Sequence, residues 1–292
     1  MKKKILITGS EGLVGSSIIK FIPKKKFKII KIDKKLSNQH LIEKKKFIKI
    51  LDYRKPDIII HAAAHPGGLS MKDPLMNTKI NLSGSMNIVN WCMNNNKKIV
   101  FISSSAVYGD QKKKKLNEKI ALYPTTIYGI NKMAVERYIT ELSKYKKFPW
   151  LILRLFATYG HGHTPNLYQG IVNVILTQLK KGNNLDIKGS LKRTRDLIYS
   201  EDVGKIISKL INKDLDEKII NIGTGKSTEI KRIISICQNN FFIKKKVRIL
   251  KKTPGDPFSS VADISLMNKY IKKFKFTSIR KGINKTVKKI RL

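Results

Sequence analysis

The chain has 292 residues, a formal net charge of +41 from 61 Lys and Arg against 20 Asp and Glu, and 41% apolar residues. That length and apolar content suffice for a sizeable core and exclude a disordered chain, and no apolar run is long enough to span a bilayer. The charge raises nucleic-acid binding, but the lysine runs at 24–26, 44–46, 112–115 and 244–246 are scattered and arginine, the usual base reader, is scarce, so a basic surface without a specific nucleic-acid partner is expected.

In chain order, residues 4–8 read as a first strand. The lysines before it imitate a secretory n-region, yet the apolar run breaks at Thr8-Gly9-Ser10. A glycine turn and a helix over 13–21 follow, then strands over 28–32, 57–62, 98–103 and 150–154, with helices over 43–53, 77–94 and 131–145 between them. Alternation of this kind predicts a doubly wound parallel sheet of the Rossmann α/β type. After Tyr159 the texture changes to a loop, an apolar helix over 168–179 and a strand over 185–188, before the chain returns to the sheet around 196–221. The expectation is an NAD-binding domain of residues 1–162 and 194–224, interleaved with a smaller α/β substrate-binding lobe of 163–193 and 225–292. Cys92 and Cys237 lack metal-ligand spacing and fall within apolar helical patterns, which predicts buried thiols in a reducing cytoplasm.

Gly9, Gly12 and Gly15 lie between the first strand and the first helix in a G-x-x-G-x-x-G spacing. Glycine there lets the backbone approach a pyrophosphate, and the helix N-terminus supplies amides to hold it. Asp33, closing the next strand, is placed to bind adenosine ribose hydroxyls and to repel a 2′-phosphate, which predicts NAD, with Lys34 and Lys35 softening the preference. Tyr128 and Lys132, four residues apart, share one face of a helix, where an ammonium can stabilise a phenolate. Upstream, the strand end at Ser103, Ser104 and Ser105 offers hydroxyls to a substrate oxygen, with strand-end capping as the plain alternative for such serines. His61, His65, His161 and His163 lack carboxylates at ligand spacing and read as loop or cleft lining, with no metal expected.

Together these segments resemble the extended short-chain dehydrogenase/reductase superfamily, NAD-dependent epimerase/dehydratase family, over nearly the full length. The further carriers are His61-Ala62-Ala63-Ala64, Val107-Tyr108-Gly109, Arg195-Asp196-Leu197-Ile198-Tyr199, Asn221-Ile222-Gly223-Thr224-Gly225 and Pro254-Gly255-Asp256. The resemblance implies Ser104, Tyr128 and Lys132 as the catalytic set. It implies NAD held by Gly9, Glu11, Gly12, Leu13, Val14, Gly15, Asp33, Ala62, Ala63 and Ala64 together with Tyr128 and Lys132, and a nucleotide sugar held by Ser104, Ser105, Asn166, Leu167, Arg195 and Asp256.

Where the related 4,6-dehydratases carry Asp and Glu after the catalytic hydroxyl, this chain has Ser105 and Ala106, which leaves the 4-epimerase pattern; the resemblance favours a UDP-sugar as its substrate. Two departures are Ala157, where the family usually has Asn, and Thr253, where the epimerases usually have Arg. The stretch between Asp33 and Asp57 is shorter than in the family, which usually has another strand there, and Asp52 is expected on a helix. By the same resemblance the helices near 77–94 and 131–145 pair in a homodimer. A nucleotide-sugar reductase or epimerase/reductase using NAD(P)H, and a non-catalytic dinucleotide sensor, remain as alternatives.

Overall fold

The computed structural model describes residues 2–34, 41–111, 115–160, 170–213 and 215–291. Six parallel strands form the main sheet in the order β10-β5-β4-β3-β1-β2. They are β1 (Lys3–Thr8), β2 (Phe27–Ile32), β3 (Ile58–His61), β4 (Lys98–Ser104), β5 (Trp150–Leu155) and β10 (Lys218–Ile222). Strand residues alternate between the two faces, and both faces are apolar because helices cover both. Ile5, Ile7, Ile58, Ile60, Val100 and Leu153 face a core closed by α1 (Leu13–Phe21), α7 (Ser200–Ile211) and α9 (Ser265–Ile271). Leu6, Ile59, Phe101 and Ile152 face the opposite core, closed by α2 (Lys44–Arg54), α4 (Ser85–Asn95) and α5 (Ile127–Tyr145).

Strand order reverses at β1, with β2 on one side and β3 on the other, and a crevice opens above the carboxyl ends of β1 and β3. Among the described residues no strand intervenes between β2 and β3, so β2 lies at the sheet edge. Asp52 sits on α2, as the short connection predicts, and accepts a 2.7 Å hydrogen bond from Trp91 Nε1 of α4.

A third core gathers the short pair β6 (Ala157–Tyr159) and β9 (Leu197–Tyr199), strand β7 (Leu185–Lys188), and the inward faces of α6 (Ile171–Lys180), α8 (Ile230–Phe241) and α10 (Ile279–Arg291). Strand β12 (Val247–Leu250) pairs with β7, and β8 (Thr194–Arg195) joins β11 (Thr228–Glu229) and β13 (Ser259–Ser260).

Three helix starts differ from the sequence expectation, the first being α6, which begins at Ile171 behind Gly170 and not at 168. Helix α5 begins at Ile127, four residues before the predicted 131, because Thr126 caps it by accepting from Gly129 N at 3.1 Å. The segment predicted as one helix over 77–94 begins earlier, at Pro74, behind an Asp73 cap. It runs through α3 (Pro74–Thr78) and a π-helical turn over Lys79–Gly84 into α4. The proline supplies no amide but sits at a first-turn position where none is needed.

Candidate active site

The crevice is a cleft of about 640 Å³. At one end, Gly9 adopts φ 67°, where a Cβ would come within 2.7 Å of the Ala63 backbone, so glycine is what lets β1 and β3 close on each other here. Gly12 N donates to Gly9 O at 3.1 Å, and Gly12 caps α1 without a side-chain acceptor, which leaves first-turn amides available to an anion. Asp33 accepts Glu11 N at 3.0 Å and so is fixed beside the same turn. Gly9, Glu11, Gly12, Leu13, Val14, Gly15, Asp33, Ala62, Ala63 and Ala64 all line this cleft, and a glycine cradle, a bare helix N-terminus and a pinned carboxylate fit a dinucleotide. Lys34 lines it too; Lys35 lies outside the described residues.

At the other end stand Ser104, Ser105, Tyr128 and Lys132. Ser104 closes β4 and accepts Ala106 N at 3.2 Å, so it does cap the turn that follows, yet it also hydrogen-bonds Tyr128. Capping and a place in the cleft are thus compatible. Desolvation pushes the Tyr128 phenol up to about 12, and the Ser104 hydrogen bond pulls the other way. Lys132 is buried, donates to Ile102 O at 2.8 Å, and lies 4.6 Å from the Phe101 ring centroid and 5.8 Å from that of Tyr128. Burial lowers it to about 7 against the opposing pull of Glu136. A phenol, a hydroxyl and a lysine with a depressed pKa in one cleft can move a proton to or from a substrate oxygen.

The wall between the two ends is the segment after β3, held by a buried amide network. Asn81 accepts His65 N at 2.8 Å and donates to His65 O at 3.1 Å. Asn77 Oδ1 accepts from Asn81 and Asn131 at 3.0 and 3.1 Å, which leaves its Nδ2 to donate to His65 Nδ1. Gly67 then packs on Tyr128, whose ring would meet an added Cβ at 3.1 Å.

His65 lines the cleft, as predicted, but His61 does not. It is fully buried at the end of β3, with Nδ1 2.7 Å from Thr8 Oγ1 and Nε2 2.8 Å from Ser85 Oγ. Ser85 donates its own proton to Asn81 O at 2.7 Å, which makes His61 a donor at Nε2 and an acceptor at Nδ1. Desolvation lowers its pKa to about 3, so it stays neutral.

Arg195 and Asp256 are brought together, though neither is among the described residues lining the cleft. Arg195 Nη2 donates to Asp256 Oδ1 at 2.6 Å, and Arg193 ion-pairs with the other oxygen. Desolvation and the neighbouring Arg193 lower Arg195 to about 10. Asn166, Leu167, His161 and His163 lie outside the described residues. Sequence reasoning passed over Asn81, Phe156, Glu136 and Arg154; the first two brace or line the cleft and the last two lie beneath it. No local spacing marks Asn81, Phe156 or Arg154; Glu136 falls four residues after Lys132 on the same helix face, but the partners that give it meaning, Arg154 and Ser103, are distant in sequence. Among the described residues no group of three or more His, Cys, Asp or Glu could hold a metal ion.

The model of the NAD-dependent epimerase/dehydratase family matches residues 5–223, which span the glycine turn, the serines and the tyrosine–lysine pair. The chain belongs to this family. It is similar to a putative UDP-glucose 4-epimerase of Methanocaldococcus jannaschii, 26% identical over 89% of this chain and 90% of that protein. Among solved structures, it superimposes on a UDP-N-acetylglucosamine 4-epimerase from Methanobrevibacter ruminantium M1, 27% identical, with a TM-score of 0.88 covering 100% and 99% of the two chains. A UDP-glucose 4-epimerase of Thermus thermophilus in complex with NAD shares the fold at 23% identity, with a TM-score of 0.91 and 99% of both chains covered.

Proposed function

We propose that this family member is an NAD-dependent epimerase of a nucleotide sugar, a UDP-sugar 4-epimerase, with Ser104, Tyr128 and Lys132 as its catalytic residues. One observation carries the reading: a glycine cradle and a Ser–Tyr–Lys constellation share one cleft, whose carboxylates among the described residues are Glu11 and Asp33, both at the cradle end. Loss of water from a sugar needs an acid beside the reacting carbons, and the reacting end here offers hydroxyls and an amine.

When bound, NAD would supply hydride acceptance and return and a positive charge that favours the phenolate. Ser104 donates to the sugar C4 oxygen and orients it. Tyr128, once deprotonated to the phenolate, accepts the proton of that hydroxyl and later returns it, so a 4-keto sugar forms and is consumed within the cleft. The Lys132 ammonium, anchored on Ile102 O, stabilises the phenolate during the exchange. Gly67 against the Tyr128 ring fixes the phenol's orientation. Proton transfer by a positioned group contributes roughly 10²–10⁴-fold in rate, so Tyr128→Phe is expected to lose at least that much turnover while retaining NAD binding.

The UDP moiety is assigned to Arg195 and Asp256, with Asn166 and Leu167, which lie outside the described residues, on the strength of the family pattern. A homodimer fits Leu75 and Met76 on α3 and Ile130 and Tyr138 on α5, large apolar side chains that the isolated chain leaves exposed. A cytoplasmic location fits the two buried free thiols.

A further inference from the structure

Beneath the dyad lies a charged pair to which the scheme above gives no role. Glu136 of α5 and Arg154 of β5 are each 3% exposed. Arg154 donates through Nε to Oε1 at 3.1 Å and through Nη2 to Oε2 at 2.7 Å, and the Ser103 hydroxyl donates to Oε1. Desolvation offsets most of the Coulomb attraction of such a pair, so stability alone does not account for its presence. Its place in the register does. Tyr128, Lys132 and Glu136 follow one another at four-residue spacing on one face of α5. They meet three consecutive residues of β4: Tyr128 the hydroxyl of Ser104, Lys132 the carbonyl of Ile102, and Glu136 the hydroxyl of Ser103.

Resting on the assignment of Tyr128 and Lys132 above, we propose that Glu136 is a positioning residue whose carboxylate, locked by Arg154 and Ser103, keeps the Lys132 amine charged and in register with Tyr128. The groups around Lys132 leave that task to Glu136. On α5 they are Tyr128, neutral at rest, and Glu136. From β3 comes His61, which is buried neutral. From β5 comes Arg154, engaged by Glu136 and by the Tyr108 hydroxyl at 3.0 Å. The β4 residues that meet this face of α5 offer a carbonyl and serine hydroxyls. Burial drives Lys132 toward the free amine, and Glu136 opposes it. A neutral amine cannot stabilise a phenolate, so removing the carboxylate charge withdraws the ammonium at a lower pH.

The test is kcat against pH for the full-length protein and Glu136→Gln, with NAD and UDP-glucose or UDP-N-acetylglucosamine as the nucleotide sugar. The alkaline limb is expected to move down by about one pH unit, a roughly tenfold change in the charged fraction of Lys132. KM for the sugar and the affinity for NAD stay within about twofold. An unmoved limb overturns the proposal, whether kcat is unchanged or uniformly lower, since a purely structural role would do no more. Should Glu136→Gln not fold, Glu136→Asp decides: a carboxylate drawn back by one methylene moves the limb the same way by a smaller amount, and an unmoved limb again overturns it. Tyr128→Phe, run alongside, separates the two claims. If that variant is as active as the wild type, the dyad assignment falls and this inference with it; if it is silent while the limb stays fixed, only the role of Glu136 falls.

Discussion

At the scale of single residues, His61 shows how a site is held without entering it. Its imidazole links the end of β1 at Thr8 to the start of α4 at Ser85, and the bond it accepts at Nδ1 from Thr8 requires the neutral ring. The unfolded chain binds a proton at His61 near pH 6.5 and the native state only near 3. Between those values the unfolded state holds more protons, so acid draws the equilibrium toward it. Urea unfolding midpoints are therefore expected to fall as pH drops from 6.5 toward 3, and to fall less steeply in His61→Asn. At this scale the sequence displayed Gly9, Gly12, Gly15, Tyr128 and Lys132, because their chemistry depends on local spacing along one turn or one helix face. Glu136 continues the helix-face spacing of Tyr128 and Lys132, but its meaning was hidden, since it depends on Arg154 and Ser103, 18 and 33 residues away. His61 was visible as a histidine at a strand end but not as a buried one, because burial there depends on α4 closing over it.

At the scale of elements, α5 is the part whose placement matters most, and its first turn carries Tyr128. Thr126 fixes where that turn begins. Losing such a cap costs about 0.5–2 kcal/mol, so Thr126→Ala is expected to lower the urea midpoint accordingly and to reduce kcat, while leaving the glycine cradle and its affinity for NAD intact. Elevated NAD dissociation in this variant, at unchanged kcat, would contradict that division of labour. The strands of the main sheet were legible because apolar residues on both faces leave little ambiguity over β1, β3, β4 and β5. The starts of α3 and α5 were not, since Asp73 and Thr126 are polar caps that interrupt the apolar pattern rather than extend it. The connection after Asp33 was read as short, and the sheet accordingly ends at β2 among the described residues.

For the whole molecule, the third core draws Tyr159, Leu197 and Tyr199 from segments adjoining the main sheet into contact with α6, α8 and α10. The proposed division into a cofactor-binding domain and an interleaved substrate lobe therefore has an apolar seam, which favours small hinged motions over free separation. The proposed homodimer predicts twice the chain mass by light scattering, and a monomer at micromolar concentration would contradict it. High positive charge spread along the chain gave little guidance to function, because net charge bears on solubility and adsorption rather than on fold. The most direct measurement of the central claim is proton NMR of the purified protein with NAD and a panel of UDP-, GDP- and dTDP-sugars, beside Tyr128→Phe. Conversion of a UDP-sugar to its C4 epimer without accumulation of reduced nicotinamide, absent in the variant, is the predicted result. Net oxidation of a sugar with stoichiometric formation of reduced nicotinamide, or no change in any sugar despite bound NAD, would contradict it.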